Sequence, residues 1–136
     1  MGSAALAVTD WRAVRAGALA DLAVLAPVVA VYAVLHGTGA ILGDAGVIVT
    51  AVIAVFVAPA VGGAVAAHRG PASSPVKHAS LAAGIAVLAY VAFRGVDAIV
   101  RNRPLNGPSV VILVILSVGC GTVGGLAARS WQTRRS

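Results

Sequence analysis

The sequence predicts an all-α integral membrane protein with four transmembrane helices in an up-down bundle. Of its 136 residues, 60% are hydrophobic and only 10% are charged, whereas a soluble domain carries roughly 25% charged residues. The apolar residues fall into four stretches of about 20 residues, which is the length that crosses about 30 Å of hydrocarbon. We therefore expect a single integral membrane domain over residues 1–136.

Four apolar stretches define the predicted spans, and short polar segments connect them. The spans cover residues 16–36, 47–67, 79–100 and 110–129. The segments between them are rich in Gly, Pro, Asn and Asp, which are typical of turns. Because short connections make sequential helices antiparallel neighbours, the sequence predicts an up-down arrangement with no additional domain in a loop.

Two prolines lie inside predicted spans, Pro27 in the first and Pro59 in the second. A proline removes one backbone donor and crowds the carbonyl group four residues earlier. We therefore expect kinks near Ala23 and Val55. Such breaks line binding sites in some transporters, but they also occur as plain structural features of membrane helices.

The Lys and Arg residues predict the orientation of the spans, because cytoplasmic loops carry an excess of these residues. Four crossings place seven basic residues on one side and Arg94, Arg101 and Arg103 on the other. We therefore predict a multi-pass protein of the cell (inner or plasma) membrane. Both of its termini are expected in the cytoplasm. The basic residues at helix ends also account for the net charge of +6, so we do not expect nucleic acid as a partner. The seven residues on the predicted cytoplasmic side are Arg12, Arg15, Arg69, Lys77, Arg129, Arg134 and Arg135.

The second and fourth spans end in similar sequences, which indicates an internal repeat. Gly62-Gly63 lies shortly before Arg69, and Gly124-Gly125 lies shortly before Arg129. The offset that brings Gly62 onto Gly124 superposes two helical hairpins of the same orientation, as expected of a tandem duplication. The alternative is a coincidence in a chain rich in Ala, Gly and Val.

By its length, its four spans and its Gly-Gly helix ends followed by Arg, the chain resembles small, functionally uncharacterised four-helix membrane proteins of bacteria. The use of nine Arg against one Lys is typical of a GC-rich bacterial genome. This resemblance implies a membrane bundle but no particular activity, and no functional residue is assigned from it.

Small residues predict where the helices pack, because helices in lipid associate through close backbone approach. Gly62 and Gly63 on the second span each precede an alanine by four residues, and Gly121 and Gly125 on the fourth span form a GxxxG motif. These glycines either pack helices within one chain or form the contact face of a dimer.

Asp21 is an ionisable residue within the first span, which makes it a candidate for transport or polar interaction. If the helix begins near Ala16, Asp21 lies only about 8 Å inside the boundary. At that depth water, Lys77 or His78 could satisfy the carboxylate, and the residue would then have no role in transport.

Arg94 and Asp97 lie three residues apart on the third predicted span, so their side chains are neighbours that can neutralise each other. The alternative is a site for an anion or a lipid headgroup. His68 and His78, together with the adjacent Arg69 and Lys77, form a basic inner loop that we expect to face anionic lipid headgroups.

No residue pattern points to catalysis, a cofactor or a metal. The three His and one Cys show no metal-ligand spacing, and neither Ser117 nor Cys120 has a base close to it in sequence. We therefore expect no catalytic, cofactor-binding or metal-binding residues. The expected function is that of a non-enzymatic accessory, assembly or oligomeric membrane subunit, with the lipid bilayer and either a second copy or a larger membrane complex as partners. The alternative is a small transporter or channel that acts as an oligomer.

Overall fold

The computed structural model describes residues 9–37, 44–71, 74–100, 102, 104 and 107–134, and these residues form helices without any strand. Four stretches are long and apolar enough to cross a membrane, namely Trp11–Leu35, Val49–Arg69, Pro75–Val100 and Gly107–Thr133. The prediction of an all-α chain with four membrane-length helices is therefore confirmed. The helices are α1 (Trp11–Gly37), α2 (Asp44–Val52), α3 (Ala58–Arg69), α4 (Pro75–Val100) and α5 (Gly107–Thr133), and a π-helical segment (Ile53–Val57) joins α2 to α3.

The first helix begins at Trp11, before the predicted span, because Asp10 caps its N-terminus. The Oδ1 atom of Asp10 accepts hydrogen bonds from the backbone N–H groups of Arg12 at 2.9 Å and Ala13 at 3.4 Å. These donors have no partner within the helix, and an N-terminal aspartate satisfies them. The 27 residues of α1 extend over about 40 Å, which exceeds the thickness of the hydrocarbon core.

The π-helical segment lies at the site where Pro59 was expected to disturb the second span. Pro59 has no N–H to donate to the carbonyl of Val55, four residues earlier. The ladder widens instead, and the N–H of Ala58 donates to the carbonyl of Ile53, five residues earlier. A single widened turn of this kind is a known response of a helix to an interrupted hydrogen-bond ladder. In α1, by contrast, the α-helix runs through Pro27 without a change of helix type.

Helix α3 lies at the centre of the packing and makes its most extensive contacts with α5 and α1. Helix α4 contacts α1, α3 and α5, whereas α1 and α5 do not contact each other within the described residues. Viewed along the helix axes, the four spans form a rhombus. Helices α3 and α4 contact each other across its short diagonal, and α1 and α5 lie at the two distant corners.

The core consists almost entirely of small side chains. His78 and Val14 are the largest side chains that are fully buried. Bulky apolar side chains such as Leu88, Phe93 and Ile115 lie on the outside with at least 60% of their surface exposed. This inversion is expected in lipid, where close backbone approach drives helix association and large apolar residues face the acyl chains. The buried alanines are Ala13, Ala18, Ala58, Ala66, Ala67, Ala79, Ala82, Ala83, Ala86 and Ala98.

At one end of the molecule, which we call the basic end, two hydrogen bonds each join a pair of helix ends, and Gly70 after α3 lies beside His78 on α4. The N–H of Asp10, before α1, donates to Nε2 of His78 on α4. The side-chain amide of Gln132 on α5 donates to Nδ1 of His68 on α3. The basic end therefore contains the N-terminal ends of α1 and α4 and the C-terminal ends of α3 and α5. Its basic residues are Arg12, Arg15, Arg69, Lys77, Arg129 and Arg134.

Candidate functional sites

Asp21 is buried in the interior of the bundle, with 2% of its surface exposed. Its side chain faces α3, where a Cβ atom added to Gly62 would lie 2.7 Å from the Cβ of Asp21. Within the described residues no hydrogen bond or ion pair involves the Asp21 carboxylate. No fully enclosed side-chain oxygen or nitrogen there lacks a partner, so the carboxylate oxygens keep some accessible surface. Ionising a carboxyl group in such surroundings costs free energy unless a cation or a hydrogen-bond donor lies beside it.

The observed start of α1 changes the depth of Asp21. Counted from Trp11 rather than from Ala16, Asp21 lies about 15 Å along the helix. His78 does not hydrogen-bond to the Asp21 carboxylate, because both nitrogens of the His78 ring are hydrogen-bonded to Asp10 and Ser74. Asp21 therefore lies farther from the start of its helix than the predicted span indicates, and His78 is not its partner.

His78 forms a buried connection between α1 and α4. Its Nε2 accepts from the N–H of Asp10 at 2.9 Å, and its Nδ1 donates to the carbonyl oxygen of Ser74 at 2.7 Å. This pattern places the single ring proton on Nδ1. The prediction that His78 faces lipid headgroups is wrong, because the side chain is completely buried and fastens the start of α1 to the first turn of α4.

Arg94 and Asp97 both lie on α4, toward the end opposite the basic end. The Arg94 side chain is exposed. The side chain of Asp97 lies outside the described part of the chain, so the predicted Arg94–Asp97 pair stays a prediction.

The four predicted packing glycines are buried between helices of the same chain. Gly62 faces α1, and a Cβ added to it would lie 2.8 Å from the carbonyl oxygen of Gly17. Gly63 and Gly121 face each other across α3 and α5, where a Cβ on Gly63 would overlap the Gly121 backbone. Gly125 faces α4, with an added Cβ 2.5 Å from the Cβ of Ala79. The arrangement corresponds to packing within one chain.

A cleft of about 610 Å³ opens between α3 and α5 at the basic end; we call it the α3–α5 cleft. Its wall is apolar and is formed by Ala64, Val65 and Ala128. Its polar rim is formed by His68, Arg69, Trp131 and Gln132.

A second cleft of about 640 Å³ lies beside the start of α1, and we call it the α1 cleft. It shares Arg69 with the α3–α5 cleft and adds Trp11 and Arg12. It differs in charge, because Asp10 also lines it. No acidic residue is among those that line the α3–α5 cleft.

The described ranges contain no group of three or more His, Cys, Asp or Glu side chains that could hold a metal ion. Ser117 is buried in α5 and Cys120 is partly buried on the same helix.

Sequence reasoning missed the roles of Asp10 and the α3–α5 cleft. The signal for Asp10 was an N-cap residue type directly before Trp11 and Arg12, and it was overlooked because the span was defined by hydropathy alone. The cleft had no local signal, because Arg69 and Trp131 are far apart in the sequence and meet only through the packing of α3 against α5.

No protein-family model, curated protein or solved structure matches this chain.

Proposed function

We propose that this chain is a non-enzymatic accessory or assembly subunit of the cell membrane that acts as a homo-oligomer. In this proposal its four long helices form an up-down bundle with the basic end and both termini in the cytoplasm. The excess of Lys and Arg at the basic end supports this orientation.

Contacts between the helices support two antiparallel hairpins. Along α1, Gly17 packs near Ala66 and Asp21 packs near Gly62, so residue numbers rise on one helix as they fall on the other. In the second half of the chain, Gly125 packs near Ala79 and Gly121 near Ala83.

The two hairpins are related by nearly the same spacing that the sequence repeat indicates. Helix α1 begins at Trp11 and α4 at Pro75, whereas α2 begins at Asp44 and α5 at Gly107. The offset that brings Gly62 onto Gly124 also brings Gly17 and Asp21 onto Ala79 and Ala83. These two alanines also face the partner helix, although they pack on Gly125 and Gly121 and not on Gly124. A tandem duplication of one hairpin accounts for the shared order and direction of the helices.

The observation that carries the oligomer is the outward face of α1. Ala23, Ala26, Ala30 and Ala33 are all exposed, and their spacing of three, four and three residues places them on one side of the helix. Such a face of small residues lets a second helix approach closely. Leu19 and Val34, which are also exposed, lie at the two ends of this face. The outward faces of α4 and α5 carry more bulky residues, among them Leu88, Phe93, Ile112 and Ile115.

The close packing of α3 on α5 argues against conduction between these helices in one chain. A Cβ on Gly124 would lie 2.7 Å from the Cα of Ala60, and the backbones at Gly63 and Gly121 are equally close. Backbones at this separation leave no room for water or an ion between them.

Oligomerisation through α1 is tested with one substitution and its matched control. Ala30→Leu adds bulk at the centre of the alanine face and should weaken self-association at least about tenfold. Ala92→Leu makes the same change on α4, where Leu88 and Val96 already flank it one turn away, and should have no effect. The measurement is the molar mass in mild detergent by size exclusion with light scattering. A monomeric wild-type chain, or equal masses for the two variants, would contradict the proposal.

A second candidate function, a small proton-coupled or cation transporter acting as an oligomer, is favoured by Asp21 alone. Transport by a carboxylate requires that it exchange a proton or cation during the cycle. In liposomes with a pH-sensitive dye, Asp21→Asn should abolish such transport, whereas Asp10→Asn should retain it because asparagine also caps a helix. Wild-type vesicles that match empty vesicles would remove this candidate.

A further inference from the structure

The α3–α5 cleft combines features that match one end of a phospholipid. Its apolar wall of Ala64, Val65 and Ala128 continues into a rim that carries Arg69 and Trp131. A phospholipid has the same order, with acyl chains on one side of the glycerol and a charged phosphate on the other. We infer that this cleft binds the headgroup and upper acyl chain of an anionic phospholipid.

The charge of the rim favours an anion. Arg69 supplies a guanidinium group, which binds phosphate oxygens in a fixed fork geometry. His68 also lines the rim, and because its Nδ1 contacts the side-chain amide of Gln132, Nε2 is the ring nitrogen left to face a phosphate oxygen. No carboxylate lines this cleft, whereas Asp10 lines the α1 cleft beside Arg12. Of the two clefts, the α3–α5 cleft is therefore the better match for a phosphate.

The position of the cleft also fits a lipid rather than a soluble anion. Trp131 has 66% of its surface exposed at the rim, and exposed tryptophans at the ends of membrane helices lie at the level of the headgroups. Basic pockets between helices on the cytoplasmic side bind acidic lipid headgroups. A free phosphate would gain nothing from the apolar wall, whereas an acyl chain would cover it.

The two tryptophans of the chain make lipid binding measurable. Trp11→Phe leaves Trp131 as the single tryptophan, which is excited selectively at the red edge of the absorption band, and phospholipids with brominated acyl chains quench it on contact. The chain is reconstituted into phosphatidylcholine vesicles that contain either brominated phosphatidylglycerol or the same fraction of brominated phosphatidylcholine. We expect the anionic lipid to quench Trp131 more strongly than the zwitterionic one.

Three further substitutions in this background locate the site. Arg69→Gln should lower the relative affinity for the anionic lipid about tenfold, because it removes charge-assisted hydrogen bonds from the guanidinium group to the phosphate. Ala128→Phe fills the cleft without altering charge and should also remove the preference. Arg15→Gln removes an exposed charge at the same end that lines neither cleft, and should retain the preference. Circular dichroism of the helices verifies that each variant folds. If one of the two cleft variants fails to fold, the lipid preference of the other tests the site.

Four outcomes would overturn the inference. Equal quenching by the two lipids would show that the cleft does not select anionic headgroups. An equal loss in Arg15→Gln and Arg69→Gln would assign the preference to diffuse surface charge. A preference that persists in Ala128→Phe would place the lipid elsewhere, and one that inorganic phosphate abolishes would identify a free-anion site.

Discussion

Replacing Gly124 with alanine should separate α3 from α5, and Gly119 on the same helix provides the matched control. A Cβ atom at Gly124 would lie 2.7 Å from both the carbonyl carbon and the Cα of Ala60, and closer still to the carbonyl oxygen. A Cβ atom at Gly119 would have nothing within 4 Å. The two substitutions are chemically identical and differ only in what the new methyl group meets.

The expected magnitude follows from these distances. Ordinary van der Waals contact begins at 3.4 Å, so the carbonyl carbon and Cα of Ala60 must each move away by about 0.7 Å, and its carbonyl oxygen must move farther. The atoms of Ala60 belong to the backbone and cannot rotate away as the end of a side chain would. Overpacking of this kind costs about 1–3 kcal/mol. Both variants gain the same helix propensity from replacing glycine, at most about 1 kcal/mol, so this gain cancels in the comparison.

We therefore expect Gly124→Ala to unfold with a free energy about 1–3 kcal/mol below that of Gly119→Ala. The measurement is reversible unfolding in mixed micelles with a rising fraction of denaturing detergent, followed by helical circular dichroism. Equal unfolding free energies for the two variants would refute the close packing of α3 on α5. So would a lower stability for Gly119→Ala than for Gly124→Ala.

Three further predictions address other contacts. His78→Ala should lower the free energy of unfolding by about 2–4 kcal/mol, because it leaves a cavity and strands the N–H of Asp10; His68→Ala, at an exposed position, should cost less than about 1 kcal/mol in the same micelle assay. Gly125→Leu should disrupt the contact with α4 and yield aggregated or partly unfolded protein in size-exclusion chromatography, and a well-folded variant would contradict that contact. Cysteines introduced in the 69–77 loop should react with membrane-impermeant reagents only after the membrane is opened, and labelling from outside intact cells would reverse the orientation.

The number and type of helices follow from the sequence because hydropathy and segment length report directly on the solvent. The bounds of α1 do not, because hydropathy detects where lipid begins, whereas the capping carboxylate of Asp10 decides where the helix begins. The disturbance around Val55 was predictable from Pro59 by a local rule, although the π-helical form of the response depends on the hydrogen bond from Ala58 to Ile53.

The surroundings of each polar residue could not be predicted from the sequence. Helical periodicity does not specify which helix faces Asp21, and its burial depends on Gly62, which lies on a different helix far along the chain. His78 was assigned to the surface from its basic neighbours in sequence. Its burial follows from the close approach of Gly70, where an added Cβ would lie 3.2 Å from the Cγ of His78. Contacts of this kind between distant segments are set by packing.

Self-association through the alanine face of α1 is tested most directly by disulfide crosslinking in native membranes. In a Cys120→Ser background, Ala30→Cys provides one thiol at the centre of the face, and Ala92→Cys provides one on the outward face of α4. In a two-fold symmetric dimer a residue near the axis meets its own copy, and a disulfide forms only when the two Cα atoms lie within about 7 Å. We predict covalent dimers on mild oxidation for Ala30→Cys and none for Ala92→Cys. Monomers for both variants, or equal dimer yields from the two positions, would contradict association through α1.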